Sequence, residues 1–277
     1  MSYRFLRWPN FKEKAVTLSY DDGVVFDRKL IEIMQKYGIK GTFNLNSACF
    51  AKESGGRKLT LEECRELYLS SKMEVAVHGA EHLSLGEVDI AIATRDIVKD
   101  RESLENIFSC IIKGMAYANG SISPQAIDAV KASGIEYARM AGKGTENFTI
   151  PDDWLCWEHT CHHDNPRLME LAKQFIEEPK HWYYWAQHPK LFYLFGHSYE
   201  FNDNDNWNVI EAFCEYMGNR EDIWYATNGE IYEYAQAYNR LRFSIDGTRI
   251  SNPSAIDLYL DYKGKQVCIP AGQQIQV

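Results

Sequence analysis

Two adjacent carboxylates, two histidines four positions apart and one distant histidine are the side chains of this sequence best suited to chemistry. They are Asp21-Asp22 before Gly23, His78-x-x-x-His82, and His197 in Leu194-Phe195-Gly196-His197. Imidazole and carboxylate are donors that suit zinc and other divalent first-row ions. Taken singly, each has a plain structural explanation: a turn at Asp21-Asp22-Gly23, two surface histidines, one satisfied core histidine. Taken together, each at the end of an apolar run, they read as one metal-centred site.

His78-Gly79-Ala80-Glu81-His82 also fits the H-x-x-E-H pattern of zinc peptidases. That pattern needs a helix, so that both imidazoles share one face. Here residues 73–77 read as a strand, and Gly79 weakens a helix at its start. The peptidase reading also leaves Asp21, Asp22 and His197 without a role, so it is set aside.

The elements that must position these residues alternate. Residues 15–20 (AVTLSY), 42–45, 73–77, 112–117 and 135–139 read as strands. Residues 26–37 carry Phe26, Leu30, Ile33, Met34 and Tyr37 at helical spacing, closed by Gly38. Thr60 with Glu63, and Ser84 with Glu87, have capping-box spacing; the second predicts a long helix to about Phe108. Ser123-Pro124 opens another helix, with proline at its first position. A polar stretch to about Asn165 follows, with a short strand near 155–157. Then come a helix over 166–178, a strand over 191–195, a helix over 207–217, a strand over 223–226 and a helix over 229–240. Repeated strand–helix units mean a parallel sheet with helices outside.

The expected fold is therefore α/β: a distorted or incomplete (β/α) barrel of about seven strands. A doubly wound open sheet is the alternative, and no glycine-rich phosphate fingerprint follows the first strand. From about Phe243 turns and short strands, near 256–260 and 266–269, predict a small C-terminal β appendage packed on the barrel. The expected division is a barrel over 1–242 and the appendage over 243–277. In such a barrel, chemistry gathers where strands end at their C-termini. Asp21, Asp22, Asn46, His78, Tyr117, Arg139 and His197 all fall there.

Composition narrows the partners. Thirty-nine acidic against 30 basic residues give a net charge of −9 over 277 residues, which argues against a nucleic-acid backbone as partner. No apolar run approaches the length of a membrane span, and residues 1–10 hold no secretory h-region. The expectation is a cytoplasmic protein that binds neither membrane nor nucleic acid, of unstated oligomeric state. Seven scattered cysteines without a C-x-x-C pair read as reduced thiols, not as disulfides or a thiolate metal site. Aromatic residues make up 13%, and sixteen of them lie between Trp182 and Tyr234. They are core filler or a stacking surface for sugars.

Ser19-Tyr20-Asp21-Asp22-Gly23, His78-x-x-x-His82 and Leu194-Phe195-Gly196-His197, in that order, resemble the polysaccharide deacetylases of carbohydrate esterase family 4. The resemblance spans about residues 12–240. It implies a distorted (β/α) barrel that removes acetyl groups, N- or O-linked, from a carbohydrate. The implied cofactor is a divalent metal, most readily zinc, with cobalt, nickel or manganese as other choices. By the same resemblance, Asp22, His78 and His82 are the metal ligands, Asp21 the catalytic base and His197 the general acid. A backbone N–H near Tyr117 would help the metal hold the oxyanion.

The chain also departs from that pattern. Gly79 stands where the family has Ser or Thr after the first metal histidine. Ala116-Tyr117-Ala118-Asn119-Gly120 lacks the third motif's Arg and Pro, and Arg139 is the candidate to reach Asp21 instead. Only Asp152-Asp153-Trp154 echoes the fourth motif. His159, His162 and His163 cluster beside it, where they would line the pocket, tune His197 or bind a second ion. Tyr199 and Trp207 are candidates to face substrate. Two further readings remain: a carbohydrate-binding barrel impaired in catalysis, and an amide hydrolase acting on a small non-sugar substrate.

Overall fold

The structure, a computed structural model, describes residues 3–177 and 188–277. The strands are β1 (Arg4–Arg7), β2 (Lys14–Asp21), β3 (Gly41–Leu45), β4 (Glu74–Val77), β5 (Gly114–Ala116), β6 (Tyr137–Arg139), β7 (Cys161–His162), β8 (Lys190–Gly196), β9 (Ile223–Tyr225), β10 (Arg242–Phe243), β11 (Arg249–Ser251), β12 (Leu258–Tyr262), β13 (Lys265–Ile269) and β14 (Gln274–Gln276). The helices are α1 (Asp27–Lys36), α2 (Leu61–Ser71), α3 (Ile90–Phe108), α4 (Pro124–Ala132), α5 (Leu168–Glu177), α6 (Ser198–Asp203), α7 (Trp207–Met217) and α8 (Asn228–Asn239).

β2 is buried on both faces for seven of its eight residues, the pattern of a strand covered by helices on one side and barrel core on the other. The main sheet runs β6-β5-β4-β3-β2-β8-β7, all parallel, with β9 paired to the start of β2. Its two ends do not pair as strands. A single bridge from Arg139 to Trp157 spans part of the gap, and Trp157 leads on to β7. The result is the incomplete (β/α) barrel that the alternation predicts. β2 lies centrally, so its tip at Asp21 has β3 on one side and β8 on the other.

Local signals hold where they are self-contained. The Thr60–Glu63 box forms, Glu63 N–H donating to Thr60 Oγ1 at 3.2 Å and Thr60 N–H to Glu63 Oε2 at 2.9 Å. Ser123 caps α4 through Ala126 N–H at 3.1 Å. The Ser84–Glu87 spacing misleads. Ser84 makes no cap, because its hydroxyl accepts from Asn119 Nδ2 at 3.0 Å, and the long helix starts only at Ile90. The strand expected near 155–157 is a short 3-10 turn, Trp154–Cys156. The end of the helix expected over 166–178, and the aromatic residues Trp182, Tyr183, Tyr184 and Trp185, lie outside the described residues.

The C-terminal strands form two small antiparallel sheets. β1 joins one of them, order β1-β12-β13, and β10-β11-β14 make the other. Tyr234 on α8 fastens this layer to the barrel: its hydroxyl donates to Arg7 O at 2.8 Å and accepts from Tyr259 N–H at 3.0 Å. Trp8, fully buried, packs against Trp224 and Tyr234 in the same seam. No helix among the described residues is long and apolar enough to cross a membrane.

Candidate active site

The residues singled out by type and spacing meet at the C-terminal ends of β2, β4 and β8. Asp21 ends β2 and is 3% exposed. Its Oδ1 accepts from Asn44 Nδ2 on β3 at 2.7 Å. Its Oδ2 takes a charge-assisted bond from Arg139 at 2.5 Å. His78 Nε2 and His197 Nε2 each lie 3.8 Å from that same oxygen. Burial alone would raise the Asp21 carboxyl. The charges of Arg139, His78 and His197 outweigh it and hold Asp21 well below the usual carboxylate range.

Arg139 comes from the tip of β6, is 1% exposed, and lays its guanidinium over Phe195 at 4.3 Å. It is thus the arginine that reaches Asp21, as the sequence suggests. Ala116, the last residue of β5, has a carbonyl that accepts from His78 Nδ1 at 2.9 Å. That bond places the ring proton on Nδ1 and leaves Nε2 with a lone pair facing the site, the orientation metal-ligating histidines adopt.

Asp22 and His82 complete the set. Asp22 Oδ1 lies 3.6 Å from His82 Nε2, and the rings of His78 and His82 sit edge to face at 4.9 Å. One donor atom from each of Asp22, His78 and His82 falls within 4.8 Å of the others, so the set fits a divalent cation bound by two nitrogens and one oxygen. Both Asp22 and His82 have left-handed backbone, φ +86° and +55°, and residues 79–82 form a turn closed by His82 N–H on Gly79 O at 3.3 Å. A peptidase helix is thereby ruled out. Lys58, not apparent from sequence, donates to Asp22 O at 2.6 Å and lies 3.6 Å from its Oδ1.

The histidine loop is held from below by helix α3. Asp100 accepts from Ser47 N–H at 2.7 Å and His78 N–H at 3.1 Å, and Asp96 accepts from Glu81 N–H at 3.0 Å. Asn46 ties the loop from the other side, donating to His78 O and Gly79 O at 2.9 and 2.8 Å. Gly79 has φ +80°, and a Cβ there would stand 2.7 Å from Asp96 Oδ2. The carboxylate thus occupies the space of the side chain this position lacks.

His197 caps the short helix α6. Its N–H donates to Glu200 Oε2 at 3.2 Å, and its Nδ1 lies 3.4 Å from the same oxygen. Burial disfavours its charged form. The bond to Glu200 and the charges of Asp21, Glu200 and Asp22 prevail, so its pKa is raised. Tyr199 stacks on His197 with ring centroids 5.0 Å apart, which puts one aromatic beside the site. Trp207 stands a layer behind, packed on Phe201 at 5.3 Å and under Lys29 at 4.4 Å.

Of the remaining candidates, His162 and His163 face Glu200, at 3.3 and 3.0 Å from its Oε2. His159 does not join them. Its two ring nitrogens face Met140 O and Gly142 O, both at 3.1 Å, and burial pushes its pKa down to about 4. Tyr117 requires a correction. It is 1% exposed, its hydroxyl donates to Leu155 O, and its own N–H is spent on Arg139 O at 3.0 Å, so that N–H is not free for an oxyanion. Asp27 is another residue the motifs do not reveal. Fully buried at the start of α1, it accepts from Ser198 Oγ, Tyr68 OH and Val24 N–H at 2.5, 2.6 and 3.2 Å.

Comparison with known proteins bears on the fold. The polysaccharide deacetylase family model matches residues 9–138. A Mycobacterium smegmatis protein assigned as a polysaccharide deacetylase superposes with a TM-score of 0.57 at 14% identity, covering 84% of this chain and 94% of its own. The Xyl-CE4 domain of a multidomain xylanase from the hindgut metagenome of Trinervitermes trinervoides gives 0.56 at 12% identity, over 81% and 92%. A mutant of a CE4 family pseudoenzyme, with restored enzymatic activity, gives 0.51 at 14% identity, over 82% and 70%. The chain spans 55% of the length of the Streptococcus pyogenes deacetylase PplD, at 17% identity over 46% of itself, with a TM-score of 0.42. No curated protein matches it by sequence. The family model matched over residues 9–138 and the barrel shared with these solved structures relate this chain to the polysaccharide deacetylase family.

Proposed function

We propose that the protein is a metal-dependent hydrolase that removes acetyl groups, N- or O-linked, from a carbohydrate. One observation carries the reading: Asp21 and His197 flank the Asp22–His78–His82 donors, and both His78 and His197 lie 3.8 Å from Asp21 Oδ2. Asp22, His78 and His82 would hold the cation, most readily zinc, with cobalt, nickel and manganese suiting the same donors. When bound, it supplies Lewis acidity toward the acetyl carbonyl and makes water a better acid. Asp21, kept ionised by Arg139, takes a proton from the attacking water. His197, whose affinity for a proton is raised, gives one to the departing amine or alcohol. Such proton transfers typically contribute ~10²–10⁴-fold each. Tyr199 supplies a ring beside the leaving group.

Acetate release from chitooligomers, acetyl-xylan and muropeptides by the zinc-loaded protein tests the substrate class; release from none of them overturns it. Metal content of Asp22→Asn and His78→Ala tests the ligand assignment, which fails if both retain the wild-type ion. A second reading, a barrel impaired in catalysis, is favoured by the altered third motif and by a structural neighbour described as a pseudoenzyme. Against it stands Arg139, which supports Asp21 from another strand. We also propose that residues 243–277, joined by β1, form an appended layer on a barrel of residues up to 242. A cytoplasmic location is part of the same proposal.

A further inference from the structure

Beyond the Asp22–His78–His82 set, a second group of donors converges where β7 ends and α6 begins. Glu200 Oε2 lies 3.0 Å from His163 Nε2, 3.3 Å from His162 Nε2 and 3.4 Å from His197 Nδ1. The donors of His162, His163 and Glu200 fall within 4.8 Å of one another. Tetrahedral zinc sites with metal–donor distances of about 2.0–2.2 Å have donor–donor edges of about 3.3–3.6 Å, so these separations need to open only slightly around an ion.

Two further observations point to a cation. First, one carboxylate oxygen is crowded by nitrogens: Glu200 Oε2 accepts the His197 N–H at 3.2 Å, and the His162, His163 and His197 rings all bear on the same carboxylate. The first set likewise turns a histidine nitrogen toward a carboxylate oxygen, His82 Nε2 at 3.6 Å from Asp22 Oδ1. Second, His162 Nδ1 lies 2.6 Å from Asp164 Oδ1. A proton shared there leaves Nε2 as a lone pair aimed at a carboxylate oxygen, which repels it unless positive charge lies between. Carboxylate–histidine pairs of this kind orient metal ligands.

We propose that His162, His163 and Glu200 form a second divalent-cation site, of the zinc class, on the far side of the His197 ring from Asp21. The two sites differ in support. His78 Nδ1 has Ala116 O and His162 Nδ1 has Asp164, whereas His163 Nδ1 is buried without a partner against Gly196. A missing outer partner typically lowers metal affinity by about 10–100-fold. The second site therefore loses its ion first. A cation here draws Glu200, β7 and the start of α6 together, and so fixes the ring of His197.

The test is a titration of the metal-free, full-length protein with Co²⁺, read by calorimetry and by the visible absorption of the bound ion. The expected result is two ions per wild-type chain, the second at least about tenfold weaker. Asp22→Asn keeps the weak ion and loses the tight one. His162→Ala and Glu200→Gln each keep the tight ion and lose the weak one, with far-ultraviolet circular dichroism unchanged. His162 is the safer variant for folding, because its ring lies at the site's edge. A wild type that never takes more than one ion, or a weak ion that survives both substitutions, overturns the proposal. Failure of the tight site alone counts against the proposed deacetylase reading and leaves this one standing.

Discussion

Asp27 is buried with no cation in contact, and its stability contribution depends on pH. The perturbation is Asp27→Asn, which keeps the shape and removes the titration. Burial raises the Asp27 carboxyl from 3.8 to about 7, and the bonds from Ser198, Tyr68 and Val24 only partly oppose that. The folded value is above the unfolded one, so the native state holds the proton more tightly. The contribution is thus complete below about 4 and is lost as pH rises toward about 7. The gap between 3.8 and about 7 is worth about 4 kcal/mol. Urea unfolding of wild type and variant at half-unit steps from pH 4.5 to 8, free of metal, gives the difference in stability at each pH. Subtracting the variant removes the titration of Asp100, which burial raises to about 6. The difference should fall toward the variant's favour by about 3–4 kcal/mol across this range, then level off above about 7.5. A difference that is flat with pH, or that rises in favour of wild type, refutes the account of Asp27 as a carboxyl held neutral. Because Ser198 follows His197, the same variant reports how far this buried proton steadies the loop that carries His197.

Three other outcomes follow from the site. Arg139→Met leaves Asp21 ionised without its partner, and truncating one member of a buried pair costs about 3–5 kcal/mol; urea midpoints should drop accordingly, and the acid limb of acetate release should move to higher pH. Gly196→Ala puts a Cβ 2.0 Å from His163 Nδ1, so it should cost about 1–3 kcal/mol by overpacking and weaken Co²⁺ binding at His162 and His163 more than at His78 and His82. Graded chelation should end acetate release when the tighter ion leaves, and readdition of zinc should restore it; release unaffected by complete metal removal would contradict the proposed chemistry.

What the sequence made legible were features encoded within short segments. The strand that ends in Asp21-Asp22-Gly23, the His78–His82 spacing and the Thr60–Glu63 box each fit inside one local unit, and the barrel follows from their alternation. Other features depend on partners far along the chain. β1 has four residues and finds β12 more than two hundred positions away, so no local pattern announced it. Lys58 reaches Asp22 from a loop whose path only the fold defines. Asp96 and Asp100 did leave a trace: they sit four apart on the same side of α3 as the buried Ala93, Ile97 and Leu104, and acids on an apolar face ask for buried partners. The Ser84–Glu87 spacing failed for the converse reason, since a nearby Asn119 competes for the serine hydroxyl.

The central place of β2 also orders the protein's assembly in time. Asp22, His78 and His82 all belong to the first 82 residues, which form three neighbouring strands, β2, β3 and β4. His197 arrives only with β8, which then lines up against β2 from Lys14 and Lys190 to Tyr20 and Gly196. At synthesis rates of about 5–20 residues per second, the emerging chain holds Asp22, His78 and His82 on the order of ten seconds before His197 exists. For that interval β2 offers a bare apolar edge, the kind of surface that invites wrong pairing. Under the proposed function, a cation captured early would clasp the turns of β2 and β4 while that edge waits, ahead of the proposed acid.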